Sequence, residues 1–183
     1  MPRLFVGLQL PSDISERLSL LSGGIHGARW IAREDYHITL RFIGDIDDAR
    51  ALEIEQRLGE VRAPAFSLRL SGIDWFGGGR PHSVFARVEP NARLLRLQEA
   101  VERACVKAGM APERRRFTPH VTIARCRGAR LSEVRRFVSD HGLFSAGPFA
   151  VDRFTLFSAR PSRGGGPYIA EHDWPLMPAA KET

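Results

Sequence analysis

Two stretches of the chain set a histidine and a threonine two positions apart: Tyr36-His37-Ile38-Thr39-Leu40-Arg41-Phe42 and Phe117-Thr118-Pro119-His120-Val121-Thr122-Ile123-Ala124-Arg125. In an extended strand side chains alternate between faces. Each copy therefore sends its imidazole and its hydroxyl to one side, while Ile38 and Leu40, or Val121 and Ile123, suit burial on the other. Two such strands facing each other would supply one imidazole to take a proton, one to give it, and two hydroxyl donors suited to the oxygens of a phosphate. That set of groups fits acid–base chemistry at a phosphodiester. Two amphipathic strands with a merely wet face would show the same alternation. With six histidines in 183 residues, however, two His-x-Thr triplets arise by chance in roughly one such chain in a hundred, and the matched apolar flanks make coincidence rarer still.

Other residues able to do chemistry fall into a clear order. Arg125 would meet the negative charge that builds on the phosphate oxygens during attack, but strict alternation puts it on the face opposite His120 unless the strand bulges. His82 leads a strand beside the Gly77-Gly78-Gly79 turn, within reach of the same cleft. His26, His141 and His172 lack the His-x₃-His or carboxylate spacing of a metal site and are read as surface residues. Cys105 and Cys126 form no Cys-x-x-Cys pair and no disulfide framework, so both are read as free thiols. Trp30 and Phe42 suit the core or the cleft wall, with stacking on a base as a second use. No metal and no cofactor is expected.

The elements that must position these groups follow from periodicity. Leu4–Leu10 reads as a strand. Ser12 caps a helix with Ile14, Leu18 and Leu21 on one face, ended by Gly23-Gly24. A short loop carrying Trp30 leads into the first motif strand. A second helix runs from about Asp47 to Val61 with Ala51, Ile54 and Leu58 inward, and Phe66–Leu70 and Ile73–Phe76 follow as strands. The pattern then starts again: a strand at Ser83–Val88, a helix opened by Pro90-Asn91 through Leu94, Leu97, Val101 and Ala104, the second motif strand, and a helix from about Leu131 to Ser139. One strand from Phe149 to Ser158 and another from Tyr168 to His172 flank a turn at Arg160–Pro167, and the tail past Pro178 should fray. Phe5 and Phe85 are 80 positions apart, His37 and His120 are 83 apart, and so are Phe66 and Phe149. These spacings indicate an internal duplication: an α+β fold in which a strand-helix-strand-helix-strand unit packs on its own copy. Residues 1–183 should form a single domain, with pseudo-repeat lobes at about 1–80 and 81–178 and room for strands to exchange between them.

Composition narrows the function classes. The hydrophobic share of 43% and the charged share of 26% are ordinary globular values. No apolar run nears the ~20 residues that span a bilayer, and the N-terminus does not read as a secretory signal, so no membrane partner and a cytoplasmic location are expected. A net charge of +6, carried mostly by arginine, suits a polyanionic partner such as RNA or a nucleotide. A non-catalytic RNA-binding module would use the same charge. Two imidazoles that titrate near neutral pH argue for an enzyme instead, since binding alone needs only lysine or arginine.

With both motifs, their flanks and the Arg29-Trp30 pair ahead of the first, the chain resembles the two-histidine phosphoesterase superfamily, in its branch of bacterial RNA 2′,3′-cyclic phosphodiesterases, also called 2′-5′ RNA ligases. The resemblance covers nearly the whole chain. It implies a bilobal fold with antiparallel sheets around a central cleft and a metal-independent enzyme acting on RNA or oligonucleotides with a 2′,3′-cyclic phosphate end. His37 falls where the family has its proton donor, His120 where it has its proton acceptor, and Thr39 and Thr122 where it has its phosphate ligands. His37 would then stand beside O3′ and His120 beside the attacking water, so that hydrolysis leaves a 2′-phosphate. Related activities on 2′-5′ linkages or on a cyclic phosphate of ADP-ribose, with reversible 2′-5′ ligation, remain open at this point. A monomer is expected.

Overall fold

The computed structural model describes residues 3–159 and 167–179. Its first strand, β1 (Arg3–Gln9), has five consecutive buried residues from Leu4 to Leu8, the pattern of a strand covered on both faces. The next helix, α1 (Ser12–Ser19), begins at the expected cap residue itself, one position earlier than expected. Pro11, whose carbonyl accepts the Ser15 N–H at 3.0 Å, takes the cap position, and Ser12 is the first helical residue with no side-chain cap bond. Proline is extended here, at φ −58° and ψ 149°, which sets the entry angle without a hydroxyl. The stretch carrying Trp30, expected as a loop, is a two-residue strand, β2 (Arg29–Trp30). It is followed by β3 (His37–Asp45) and by α2 (Asp48–Gly59), which is capped by Asp47 and buries Ile54 and Leu58.

The two expected strands at 66–70 and 73–76 are one continuous element, β4 (Phe66–Phe76). Then come β5 (Ser83–Val88), α3 (Ala92–Lys107), capped by the Asn91 side chain, β6 (His120–Arg125) and α4 (Leu131–Asp140). The single strand expected over 149–158 is instead two, β7 (Ser145–Val151) and β8 (Arg153–Ala159), broken at Asp152 and joined to different sheets. An apolar-rich run does not record which neighbour each part will meet. The last strand is β9 (Tyr168–Pro175). Most of the turn expected at 160–167, and residues 180–183 of the expected frayed tail, lie outside the described residues.

The strands make two antiparallel sheets, one in the order β3-β1-β8-β9 and the other β2-β6-β5-β4-β7. The spacings of 80 and 83 correspond to real equivalences, because β1 lies beside β3 as β5 lies beside β6. The Phe66–Phe149 match does not. β4 and β7 are neighbours in one sheet, with Leu68 opposite Phe149, and the place β4 fills beside β5 is filled beside β1 by β8. Thus β4 precedes residue 80 yet belongs to the sheet of β5 and β6, while β8 and β9 return to the sheet of β1. Helix α3 packs on α2 and β3, and α4 on β4. Among the described residues no helix is long and apolar enough to cross a membrane.

Both motif strands carry a bulge just after the threonine. Between Val6 and Gly7 the β1–β3 register skips Leu40, and between Val84 and Phe85 the β5–β6 register skips Ile123. Each bulge buries two residues in a row, Leu40 and Arg41 or Ile123 and Ala124, and returns the next, Phe42 or Arg125, to the face of the histidine. The first bulge needs a glycine opposite it, since a Cβ on Gly7 would lie 2.7 Å from the Ile38 carbonyl oxygen.

Candidate active site

His37 and Thr39 from β3 and His120 and Thr122 from β6 line one cavity of about 140 Å³, together with Arg125, Asp35, Phe76, His82 and Tyr168. The space is enough for a phosphate group. The structure therefore brings together the four motif residues and Arg125. The bulge at Ile123 is the reason Arg125 escapes strict alternation.

Each imidazole is held at its back nitrogen. His37 Nδ1 is 2.9 Å from the Asp35 carbonyl oxygen, and His120 Nδ1 is 2.7 Å from that of Thr118. A carbonyl only accepts, so each Nδ1 carries the proton and Nε2 is left as the working nitrogen. His37 Nε2 lies 3.0 Å from the Thr39 hydroxyl oxygen. Aromatic rings fix the imidazoles from the sides. Phe5 and Tyr168 have centroids 4.7 and 4.9 Å from His37, and Phe85 and Phe76 have theirs 5.2 and 4.8 Å from His120. Phe5 and Phe85 are the repeat-related pair seen in the sequence.

Burial disfavours the charged form of both rings. His37 is pushed down to about 4, chiefly by burial, against the pull of the Asp35 carbonyl, with the positive charges of His120 and Arg125 adding to the depression. His120 is lowered for the same first reason, with the Thr118 carbonyl opposing and Arg125 adding. A phosphate anion in the cavity would reverse much of this, because it supplies the opposite charge that a protonated imidazole lacks in the free protein.

Sequence reasoning missed Asp35, Phe76, Ser83 and Tyr168. Asp35 had a signal, since it precedes His37 by two positions as Thr118 precedes His120, and both carbonyls do the same work. Tyr168 had none, because it arrives from the far end of the chain through β9. His82 does reach the cavity, with Nδ1 3.3 Å from the Ser83 hydroxyl. His141 instead packs on Phe137 and His172 on Trp174, while His26 is exposed. Trp30 packs on Phe137 away from the cavity. Cys105 and Cys126 are buried free thiols, and burial pushes the Cys105 thiol up to about 11. Among the described residues no three His, Cys, Asp or Glu side chains converge as metal ligands would. Next to the cavity a wider groove of about 760 Å³ is lined by Phe42, Gln98, Arg115, Arg116 and Phe117, and shares Thr39, Phe76, His82 and His120 with it.

A doubled antiparallel fold with one His-x-Thr strand from each sheet at a shared cavity is the arrangement of the two-histidine phosphoesterases. Residues 10–162 match the 2′-5′ RNA ligase superfamily, and the chain belongs to that family. It is 36% identical over 138 residues to the RNA 2′,3′-cyclic phosphodiesterase of Aeropyrum pernix, covering 74% of this chain and 78% of that protein. With the RNA 2′,3′-cyclic phosphodiesterase of Bacillus subtilis it shares 32% identity over 169 residues, 85% of this chain and 87% of the relative. The fold is similar to that of Escherichia coli LigT crystallised with 3′-AMP, with a TM-score of 0.76 at 24% identity, covering 96% of this chain and 99% of that one.

Proposed function

We propose that the chain is an RNA 2′,3′-cyclic phosphodiesterase, a hydrolase that opens the cyclic phosphate at the end of an RNA or oligonucleotide and leaves a 2′-phosphate. The observation that carries this reading is the pair of imidazoles, one from each sheet, with Nδ1 committed to a carbonyl and Nε2 left for proton transfer at one shared cavity. Neutral His120 takes a proton from water as the oxygen attacks phosphorus. Protonated His37 gives its proton to the departing O3′, so the P–O3′ bond breaks as the P–O(water) bond forms, and no covalent intermediate is needed. A donor whose proton affinity burial has lowered releases its proton readily once the anionic substrate has charged it. The hydroxyls of Thr39 and Thr122 and the guanidinium of Arg125 meet the charge that builds on the non-bridging oxygens.

One copy of the chain carries both motifs, so in this reading a monomer is a complete catalytic unit. The wide basic groove with Arg115 and Arg116 takes the rest of the nucleic acid. The test is a substrate panel: a short RNA ending in a 2′,3′-cyclic phosphate, a 2′-5′ dinucleotide and the cyclic phosphate of ADP-ribose, with products separated against authentic 2′- and 3′-monophosphates. Turnover of the cyclic-ended RNA to the 2′-phosphate is expected. A dominant 3′-phosphate would reverse the roles of His37 and His120, and preference for another member of the panel would replace the substrate.

A further inference from the structure

We propose that Arg41 is a positioning residue for His120: standing on the strand of His37 and paired with Glu102, it anchors the segment whose Thr118 carbonyl orients the imidazole across the cavity. The inference deepens the functional reading above and rests on it for the role of His120.

The bulge at Leu40 turns Arg41 away from the cavity, and it is only 7% exposed where it borders the wider groove. Its three nitrogens are all spoken for. Nε donates to Glu102 Oε2 at 2.5 Å, Nη1 to the Phe42 carbonyl at 2.7 Å and Nη2 to the Ala111 carbonyl at 2.6 Å. The other oxygen of Glu102 accepts the Glu113 N–H at 2.9 Å. Arg41 and Glu102 therefore grip the backbone at 111 and 113, at the start of an irregular stretch that runs to Pro119. Among the described residues, Ala111 through Pro119 make no backbone-to-backbone hydrogen bond. The stretch thus depends on side chains for its path, and five residues after Glu113 it delivers the carbonyl that holds His120 Nδ1. A planar guanidinium binding a carboxylate and two carbonyls at once is a task a lysine cannot duplicate.

The other half of the site has no such dependence. The residue four after His120, where Arg41 stands relative to His37, is Ala124. His37 takes its carbonyl from Asp35, which ends a short 3₁₀ turn closed by its own N–H to Ala32, and the Asp35 carboxylate accepts the Tyr168 N–H. That support is built locally and through β9. The support of His120 is built across the molecule, from the strand of its catalytic partner.

The experiment uses Arg41→Lys and Glu102→Gln in the full chain. The glutamine keeps an acceptor for the Glu113 N–H and lessens the risk that the variant fails to fold. Nitrogen-15 NMR of the histidine side chains reads the tautomer of each ring, and the pH profile of kcat/KM reads the titration. The proposal expects His120 to lose its fixed Nδ1–H form while the His37 signals stay in place. The alkaline limb of kcat/KM should move to lower pH, since the Thr118 carbonyl raises the proton affinity of His120, and kcat should fall on the order of tenfold or more. Folded variants with both histidine spectra and the pH profile unchanged would reduce the Arg41–Glu102 pair to a stabilising contact and overturn the inference. The tautomer measurement needs no turnover. A shift of His120 in a protein inactive on cyclic phosphate would keep the positioning role while removing the proposed reaction, and an active enzyme with His120 unmoved would do the reverse.

Discussion

The strands β3 and β6 begin with the same short text and end with different residues. Both supply an imidazole pinned at Nδ1 to the carbonyl two positions back, a hydroxyl two positions on, and a bulge after it. Beyond the bulge they part: the position five after the histidine is Phe42 in one and Arg125 in the other. Duplication provides matched chemical groups, and the residues past the bulge make the two sides of the cavity unequal. One side offers a cation at the cavity, the other an exposed aromatic ring on the wall of the wider groove. In the proposed reaction, a substrate with a phosphate at one end and a base at the other would thereby be oriented by a site whose two imidazoles are nearly symmetric.

The comparison breaks hardest at the histidines. His37→Ala and His120→Ala are each expected to lower kcat by roughly 10²-fold or more, because each removes one of the two proposed proton-transfer groups; steady-state kinetics with a folded protein confirmed by circular dichroism checks it. A near wild-type rate in either would make that ring structural. Next come the unequal positions. Arg125→Ala should cost about 10- to 100-fold, mostly in kcat, through charge left unmet on the phosphate. Phe42→Ala should raise KM by about tenfold with kcat little changed, as expected for a lost stacking surface. The same kinetic split for both variants would erase the asymmetry.

The pH profile sharpens it further. The proposed reaction needs one ring charged and one neutral, and both lose proton affinity on burial, His37 to about 4 and His120 to below its ordinary 6.5. The singly protonated pair therefore falls away above the higher value and below the lower. The kcat/KM bell of the free enzyme should lie on the acid side of 6.5, and kcat should peak at higher pH because the bound phosphate anion favours the charged ring. A kcat/KM optimum above 7.5, about a unit over the ordinary histidine value, would contradict the buried, anion-free environment. Thr39→Ala and Thr122→Ala are expected to lose less than the histidine variants, each removing one hydroxyl among several donors. The smallest expected effect is that of EDTA, which should leave the rate unchanged, since among the described residues no third His, Cys, Asp or Glu side chain joins the two imidazoles as a metal ligand would. Loss of activity with rescue by a divalent ion would replace the proton-transfer scheme.

The four motif residues were legible because strand alternation is local, and a two-residue spacing says which side chains share a face. Arg125 was legible only as a conditional, since whether a bulge forms depends on Phe85 and Val84 in the neighbouring strand. The duplication was readable where it preserved neighbours, at Phe5 and Phe85 and at the histidines. It misled at Phe66 and Phe149, because similar alternating strands carry no record of which sheet they join. The break at Asp152 was hidden for the same reason. Arg41 gave no sign of its role: an arginine in an amphipathic strand reads as solvated, and only the bulge and the facing Glu102 bury it.

The return of β8 and β9 to the sheet of β1 also sets an order on synthesis. As the chain leaves the ribosome, every strand of the second sheet has emerged by Val151, while β1 and β3 still wait with one edge of β1 open. Phe157, which stacks on Phe5 at 4.9 Å, and Tyr168, which stands edge-on to His37, both come from beyond Val151. The wall around His37 thus needs segments beyond Val151, and a chain stopped there carries both histidines but only one finished side of the cavity.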